Sequence, residues 1–335
     1  AAAPPLEGLE QAGYLTNETL FSLTHLPRRL GVIGAGPIGC EMAQAMARFG
    51  SEVTLIEAMH GVLPREDPEA SAVIKLALLD DGIRVMCCGK QLKVGRSQGG
   101  KTLSVDSHDS HYEIEVDEIL VAVGRAANVE GMGLAAAGVA VERSGVTVND
   151  RLQTTNPRIY AAGDVCSRYK FTHAADAMAR IVIQNALFSF LPVKAKASAL
   201  TMPWCTYTSP ELAHVGPLLQ EMEAKGVAYD TVTVRMEDVD RAILEGEMSG
   251  LVKIHVARGT DRILAATVVS SHAGDLISEI TLGMVHKIGL KGYSSTIHPY
   301  PTQAEVLRKA GDAFKRRQLT PRTRRILAKL MAWQR

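Results

Sequence analysis

Residues 30–57 read LGVIGAGPIGCEMAQAMARFGSEVTLIE, and this stretch decides the fold. It predicts a strand over Leu30–Ile33, a glycine turn, a helix that stops at Gly50, and a second strand that ends at Glu57. The turn has G-x-G-x-x-G spacing in Gly34, Gly36 and Gly39. Such glycines permit a tight turn, the approach of backbone to a pyrophosphate, and close helix–strand packing, so the segment predicts a dinucleotide site. The helix is expected to bury Met42, Met46 and Phe49.

Glu57 indicates which nicotinamide dinucleotide binds. A carboxylate at this strand end accepts hydrogen bonds from a ribose 2′-hydroxyl and repels a 2′-phosphate, for which an arginine is expected. The basic residues that follow, His60 and Arg65, lie further along the chain. The sequence therefore favours NAD over NADP.

The composition excludes several classes of protein. The chain has 335 residues, a formal net charge of +1 and a hydrophobic fraction of 46%, which is typical of a globular protein without the basic excess of a nucleic-acid partner. No apolar run has the length of a membrane span, and no signal peptide opens the sequence. Five cysteines are too few for a disulfide scaffold and favour a cytoplasmic location.

Two of these cysteines, Cys87 and Cys88, are adjacent. They end the strand-like run from Ile83, where successive side chains point to opposite faces. We interpret them as small strand residues, with a vicinal disulfide or a soft-metal site as the alternative. The histidines and cysteines show no zinc-ligand spacing along the sequence, so no metal site is predicted.

The rest of the chain continues as an α/β pattern. Short alternating runs predict an antiparallel meander near Leu92–Val94, Leu103–Val105 and Ile114–Val116. A second α/β piece follows, in which Thr172 is expected to cap a helix over Ala174–Phe190. From residue 201 the sequence is rich in threonine and valine and then becomes helical, which predicts an α+β module with an antiparallel sheet.

Five motifs carry a family resemblance. They are GAGPIGCE at 34–41, VAVGRAAN at 121–128, IYAAGD at 159–164, PWCTYTSPELAHVG at 203–216 and TIHPYPTQAE at 296–305. In this order, over nearly the whole chain, they resemble the pyridine nucleotide-disulfide oxidoreductases. These flavoproteins include dihydrolipoyl dehydrogenase, glutathione reductase and mercuric reductase, and the mercuric reductase branch is most similar because of Tyr300.

The resemblance implies a Rossmann-type NAD domain inserted in a partial FAD-binding domain, plus an α+β dimerisation domain. The implied segments are 1–27 (end of the first FAD-binding segment and linker), 28–145 (NAD domain), 146–200 (second FAD-binding segment), 201–315 (dimerisation domain) and 316–335 (basic tail). The family normally begins with a first G-x-G-x-x-G motif and a Cys-x4-Cys helix. Neither occurs before residue 28, so we expect an N-terminally truncated chain.

The resemblance also implies FAD and NAD as cofactors. The implied NAD-binding residues are Gly34, Gly36, Pro37, Ile38, Gly39, Glu41, Glu57 and Gly124. Glu41 is expected to bind the carboxamide, and Gly124 lets the nicotinamide lie close to backbone. The implied FAD-binding residues are Gly163, Asp164, Thr172, His173 and Ala174. Asp164 is expected to accept from a ribitol hydroxyl, while the helix start near Thr172 places positive potential at the flavin.

The candidate catalytic residues are His298, Tyr300 and Glu305. Disulfide-reducing members use a His-Pro-Thr segment with a glutamate five residues later that orients the imidazole, and here Tyr300 takes the position of the histidine. A tyrosine with a pKa of about 10 donates protons at neutral pH but is a poor base, which favours a small-molecule or metal-ion acceptor. Against mercury, no cysteine follows Cys205.

We therefore predict a homodimeric flavoenzyme that passes hydride from NADH to flavin and then to an acceptor. The alternatives are a non-catalytic NAD-binding and dimerisation remnant and, given an upstream Cys-x4-Cys, a dihydrolipoyl dehydrogenase. The basic tail from Lys315 mixes cationic and apolar residues. We interpret it as a helix docked on its own domain, with contact to an anionic membrane surface as the alternative.

Overall fold

The computed structural model describes residues 1–188, 193–317 and 319–333. Its strands are β1 (Arg29–Ile33), β2 (Glu52–Ile56), β3 (Arg84–Met86), β4 (Lys90–Ser97), β5 (Gly100–Ser107), β6 (Ser110–Val116), β7 (Glu118–Val121), β8 (Val141–Glu142), β9 (Gly145–Val146), β10 (Pro203–Thr206), β11 (Glu211–Val215), β12 (Tyr229–Arg235), β13 (Leu251–Ala257) and β14 (Ile263–Ser270). Its α-helices are α1 (Leu9–Ala12), α2 (Pro37–Phe49), α3 (Pro68–Asp80), α4 (Thr172–Leu187), α5 (Leu219–Ala224), α6 (Asp240–Glu245), α7 (Ala273–Val285), α8 (Leu290–Ser295), α9 (Glu305–Arg317) and α10 (Pro321–Trp333).

A parallel sheet in the order β3-β2-β1-β7 organises the first half of the chain. Strand β1 is buried from Leu30 to Ile33 because both of its faces are covered. Leu30 and Val32 pack with helices α2 and α3, whereas Ile33 packs with the β4-β5-β6 meander. The meander is antiparallel, as predicted. This layered α/β arrangement confirms the predicted fold class of the dinucleotide domain.

Helix α2 buries Met46 and packs Met42 on the core, as predicted, but its third predicted core residue, Phe49, lies outside the core face. Its core face is centred on Cys40 and Ala43, which are fully buried and whose small size lets the helix lie close to β1. Met42 lies about 100° round the helix from Ala43 and is only half-buried. Phe49 is 73% exposed, so its prediction as a core residue is wrong.

A five-stranded antiparallel sheet in the order β10-β11-β14-β13-β12 forms the second half. Helices α7 and α9 cover one face, where Ile277, Ile280 and Leu307 pack against Val252 and Ile254. This confirms the predicted α+β module. Between the two halves, α4 packs through Met178 and Ile181 on Leu152. The domain boundaries at residues 27, 145, 200 and 315 stay predictions.

The tail forms α10, and its apolar side chains remain on the surface. Ile326, Leu330, Met331 and Trp333 are all exposed, so the prediction that this helix docks on its own domain is wrong for the described residues. Among the helices of residues 1–188, 193–317 and 319–333, none is long and apolar enough to span a bilayer.

The start of α3 joins the two halves through buried polar contacts. Lys253 of β13 places Nζ 2.7 Å from Asp67 Oδ1 and 2.7 Å from Glu69 Oε2. At Glu66, the residue before Asp67, the Trp204 indole N–H donates to Oε1 at 2.8 Å. The second oxygen, Glu66 Oε2, is buried without a hydrogen-bond partner in the described structure. Burial raises the pKa of the Glu66 carboxyl from 4.5 to about 7.

Replacing Glu66 by glutamine should remove a pH dependence of stability. Because the folded-state pKa is about 7 and the ordinary value is 4.5, the carboxyl stabilises the fold fully below pH 4.5 and loses this contribution as the pH rises through 7. Between about pH 5 and about pH 7 the loss is about 2 kcal/mol. Glutamine still accepts from Trp204 but cannot ionise, so Glu66→Gln should be the more stable protein only at the higher pH. Urea unfolding of both proteins measures this, and an equal difference at both pH values would contradict it.

Candidate functional site

The glycine turn between β1 and α2 has the geometry that a pyrophosphate site requires. Gly34 has φ +101°, and a Cβ there would lie 2.7 Å from the Ala122 carbonyl oxygen. A Cβ on Gly39 would lie 1.8 Å from the Gly34 carbonyl oxygen, so the helix can approach the strand only without one. A Cβ on Gly36 would meet no atom within 4 Å, which leaves open space in front of the turn.

Helix α2 starts at Pro37, and its first turn offers backbone donors to this space. Gly36 is the N-cap residue and provides no side-chain cap. The N–H groups of Ile38 and Gly39 therefore lie at an uncapped helix N-terminus, where they and the helix dipole favour an anion.

Glu57 is held rigidly beside the turn. Its Oε2 accepts from the Ala35 N–H at 2.8 Å, and its Oε1 accepts from the Met59 N–H at 2.9 Å. Each carboxylate oxygen has a further lone pair for a ribose hydroxyl. The structure thus places this predicted ribose-binding residue at the same end of the sheet as the glycine turn.

Glu41 connects α2 to the C-terminal half. Its Oε1 accepts from the Tyr207 N–H at 2.8 Å, and burial raises the pKa of its carboxyl. Gly124 follows β7 with φ +135°, and a Cβ there would meet no atom within 4 Å. Both residues therefore occupy defined positions around the strand ends.

Two of the predicted flavin-binding residues, Gly163 and Asp164, lie close to the segment that follows β7. Gly163 has φ +76°, and a Cβ there would lie 2.8 Å from the Ala175 Cβ. Asp164 Oδ2 lies 3.3 Å from the guanidinium of Arg125, the residue that directly follows Gly124. The structure thus brings two motifs together that lie about 40 residues apart in the sequence.

Thr172 does not cap α4, and that prediction is wrong. The helix begins at Thr172 itself, Phe171 is the N-cap residue, and no side chain caps the turn. The N–H groups of Thr172, His173 and Ala174 therefore belong to an open helix N-terminus. His173 stacks on Phe171 with ring centroids 5.3 Å apart, and its Nε2 lies 2.8 Å from the Pro203 carbonyl oxygen. The predicted helix end at Phe190 lies outside the described residues.

The predicted catalytic residues do not form one constellation within the chain. Tyr300 is 71% exposed, and its hydroxyl donates to Asp240 Oδ2 at 2.9 Å. This hydrogen bond raises the pKa of Tyr300, so still less of the phenol is ionised at neutral pH. Glu305 is buried and contacts Arg308 at 2.5 Å, while its Oε2 has no hydrogen-bond partner among the described residues.

His298 has a carboxylate partner that sequence reasoning missed. Its Nε2 lies 3.1 Å from Glu279 Oε1 of α7, and the imidazole side chain is only 5% exposed. Glu279 precedes His298 by 19 residues in another element, so no local spacing signals the contact. Histidine is the side chain that proteins use most often as a general acid or base, whereas tyrosine is a poor base.

A second group missed from the sequence surrounds the adjacent cysteines. Strand β3 ends at Met86, so the interpretation of Cys87 and Cys88 as strand residues on opposite faces is wrong. Both are free thiols, and His60 and His108 lie next to them. No metal site was predicted because these four residues come from three separate segments.

Comparison with known proteins assigns the family. Residues 1–179 match the family model "Pyridine nucleotide-disulphide oxidoreductase", and residues 202–311 match its dimerisation domain, which supports self-association. A mercuric reductase of Streptomyces lividans is 36% identical over 93% of this chain and 65% of its own length. A dihydrolipoyl dehydrogenase of Thermus scotoductus is 36% identical over 88% of this chain and 63% of its own length.

Solved structures agree with this assignment. The HOCl-induced flavoprotein disulfide reductase RclA from Escherichia coli superposes with a TM-score of 0.82 at 28% identity, covering 92% of this chain and 70% of that one. The chain spans about half to two thirds of the length of the curated relatives it matches. The family predicted from the five motifs is confirmed: the chain belongs to the pyridine nucleotide-disulphide oxidoreductases.

Proposed function

We propose that this chain forms the NAD(P)H-binding, flavin-contacting and dimerising part of a flavin-dependent oxidoreductase. When bound, the two cofactors would supply the chemistry, which is transfer of hydride from the reduced nicotinamide to the flavin and then to an acceptor. The observation that carries the proposal is the glycine turn, closed by Gly39 against Gly34 with Glu57 fixed beside it. The chain's own residues bind and orient the reacting groups.

The nicotinamide dinucleotide fits the first half of the chain. The open space at Gly36 and the uncapped N-terminus of α2 suit a pyrophosphate, and Glu57 suits a ribose. Glu41 contacts the C-terminal half through Tyr207, and we place the nicotinamide end of the molecule between Glu41 and the open space at Gly124. Because both oxygens of Glu57 carry negative charge, we propose NAD as the preferred dinucleotide.

The flavin fits the space around Asp164 and the start of α4. Asp164 can accept from a ribitol hydroxyl in exchange for its exposed contact with Arg125. The open N–H groups of Thr172, His173 and Ala174 present positive potential, which favours the reduced, anionic form of an isoalloxazine ring.

The acceptor is reduced at a site to which a second subunit contributes. We propose a homodimer through residues 201–315, in which the segment with His298, Tyr300 and Glu305 faces the partner's flavin. A small molecule or a metal ion suits the exposed phenol of Tyr300. A disulfide is the second candidate, because the buried His298 side chain, oriented by Glu279, can supply the proton that a thiolate leaving group requires.

Preference for NADH over NADPH is the direct test of the dinucleotide site. We expect calorimetric titration to give a dissociation constant for NADH at least about tenfold lower than that for NADPH, about 1.4 kcal/mol. Glu57→Gln should reduce the difference between the two dissociation constants, because an amide does not repel a 2′-phosphate. Glu52→Gln, at an exposed position of the same strand, is the control and should leave this difference unchanged. Equal affinities of the unaltered chain for both dinucleotides would argue against the role of Glu57.

Flavin absorbance separates the enzyme from a non-catalytic remnant. Purified protein supplied with FAD should acquire flavin bands that NADH bleaches under anaerobic conditions. A protein that binds NADH yet stays colourless would instead support a dinucleotide-binding and dimerisation remnant.

A further inference from the structure

Four potential metal ligands converge at one edge of the dinucleotide domain. His60, Cys87, Cys88 and His108 each offer one ligand atom, and these atoms all lie within 4.8 Å of one another. His60 follows β2, the cysteines follow β3, and His108 lies at the tip of the β5–β6 hairpin. The fold therefore assembles two sulfur and two nitrogen donors from three segments.

Backbone and side-chain contacts hold Cys88 against the loop that carries His60. Cys88 has φ +59°, in the left-handed region, two residues after the end of β3. Its N–H donates to the Met59 carbonyl at 2.9 Å, and its Sγ lies 3.5 Å from His60 Nδ1. These contacts hold the loop after β2 against the cysteine pair.

The hairpin tip is fixed from the other side. The Ser107 hydroxyl donates to the Cys87 carbonyl oxygen at 2.7 Å. Next to it, His108 has φ +47° and places Nε2 3.9 Å from Cys87 Sγ. The hydrogen bonds that fix the cysteine pair thus come from backbone groups and the Ser107 hydroxyl, which also lies 3.1 Å from His108 Nδ1.

We propose that these four side chains bind a thiophilic, tetrahedral divalent cation of the zinc type. Two thiolates and two imidazoles are the donor set that zinc takes in Cys2His2 sites. Around a tetrahedral zinc ion the ligand atoms lie about 3.3 to 3.8 Å apart, given Zn–S of about 2.3 Å and Zn–N of about 2.0 Å. Rotation of the exposed His60 and His108 side chains closes the remaining distance.

The local charges suit this assignment. Two thiols must lose their protons to solvent as the cation binds, so the site with its ion carries no net charge. The site also lies next to the dinucleotide site, since the Gly89 N–H donates to the Glu57 carbonyl at 2.9 Å.

Cobalt substitution tests the site without reference to enzyme activity. Protein reduced and treated with chelator should bind a single equivalent of Co²⁺ with a thiolate-to-cobalt charge-transfer band and the intense visible bands of a tetrahedral ion. An equivalent of Zn²⁺ should abolish this spectrum. Cys88→Ser and His108→Ala should weaken zinc binding by more than the about 10- to 100-fold that loss of an outer-shell partner costs.

His111→Ala is the matched control for His108→Ala. His111 lies on the same hairpin, is also exposed, and pairs with Asp106 outside the cluster, so its loss should leave the cobalt spectrum unchanged. Because His108 is exposed, circular dichroism should find the His108→Ala variant folded. Cobalt binding without the charge-transfer band, unchanged binding by Cys88→Ser, or a Cys87–Cys88 disulfide in protein isolated under reducing conditions would overturn the proposal.

Discussion

A Gly36→Ala variant should fold normally and bind NADH about 100-fold more weakly, a loss of about 2.7 kcal/mol. Gly36 has φ −75° and ψ −175°, which alanine adopts without strain, and its added Cβ would meet no protein atom within 4 Å. The methyl group instead occupies the open space into which the pyrophosphate must come. Calorimetry with NADH measures the affinity, and thermal unfolding without nucleotide measures the stability.

Two other glycines of the same segment serve as controls. Gly39→Ala should lose both stability and NADH binding, because its Cβ would overlap the Gly34 carbonyl oxygen. Gly50→Ala should lose only stability, by about 1 kcal/mol, because Gly50 ends α2 at φ +109° away from the site. Normal NADH binding by Gly36→Ala would show that the dinucleotide does not approach this turn.

The parts of the fold that the sequence predicted are those with local signals. The glycine spacing and the two apolar runs of residues 30–57 lie within one βαβ unit, and the structure contains that unit as predicted. The meander was predictable for the same reason, since each strand alternates and is separated from the next by turn residues. Glu57 could be assigned a position because a strand end fixes where its side chain lies.

The errors arose where packing at a distance overrode a local pattern. Phe49 fits the helical spacing of the apolar residues, but the helix faces the sheet with the small residues Cys40 and Ala43, which allow closer contact. Phe49 is therefore exposed. Thr172 is a good N-cap by residue type, yet the helix starts one residue earlier than a threonine cap allows. Residue types therefore predicted the positions of these two helices to within one helical turn. Tertiary contacts decided which residues face the core.

The side-chain groups that the sequence missed have long sequence separation. His298 pairs with Glu279 from another helix, and His60 meets His108 only because the meander folds back over the parallel sheet. Neither pairing has a fixed spacing. Such groups follow from the topology of the folded chain and leave no local pattern in the sequence.

The ion pair between Lys253 and Asp67, which joins the two halves of the chain, also links residues far apart in the sequence. Breaking it is expected to cause the second large effect, a loss of stability. A Lys253→Met variant should be less stable by about 3 to 5 kcal/mol, because removing the ammonium leaves a buried carboxylate unpaired. The side chains of Lys253 and Asp67 are 12% and 5% exposed, and Nζ lies 2.7 and 2.9 Å from the two Asp67 oxygens. Urea unfolding at neutral pH measures the loss.

A double substitution separates the unpaired charge from the loss of packing. Asp67 Oδ1 also caps α3 by accepting from the Glu69 and Ala70 N–H groups, at 3.0 and 3.1 Å, and an asparagine keeps this cap. Adding Asp67→Asn to Lys253→Met should therefore restore most of the lost stability, because no buried charge then remains at that position. Lys93→Met, which removes an exposed lysine paired with Glu7, should have a far smaller effect. If the double variant is as unstable as Lys253→Met alone, the lysine acts through its apolar stem, and the junction does not depend on the ion pair.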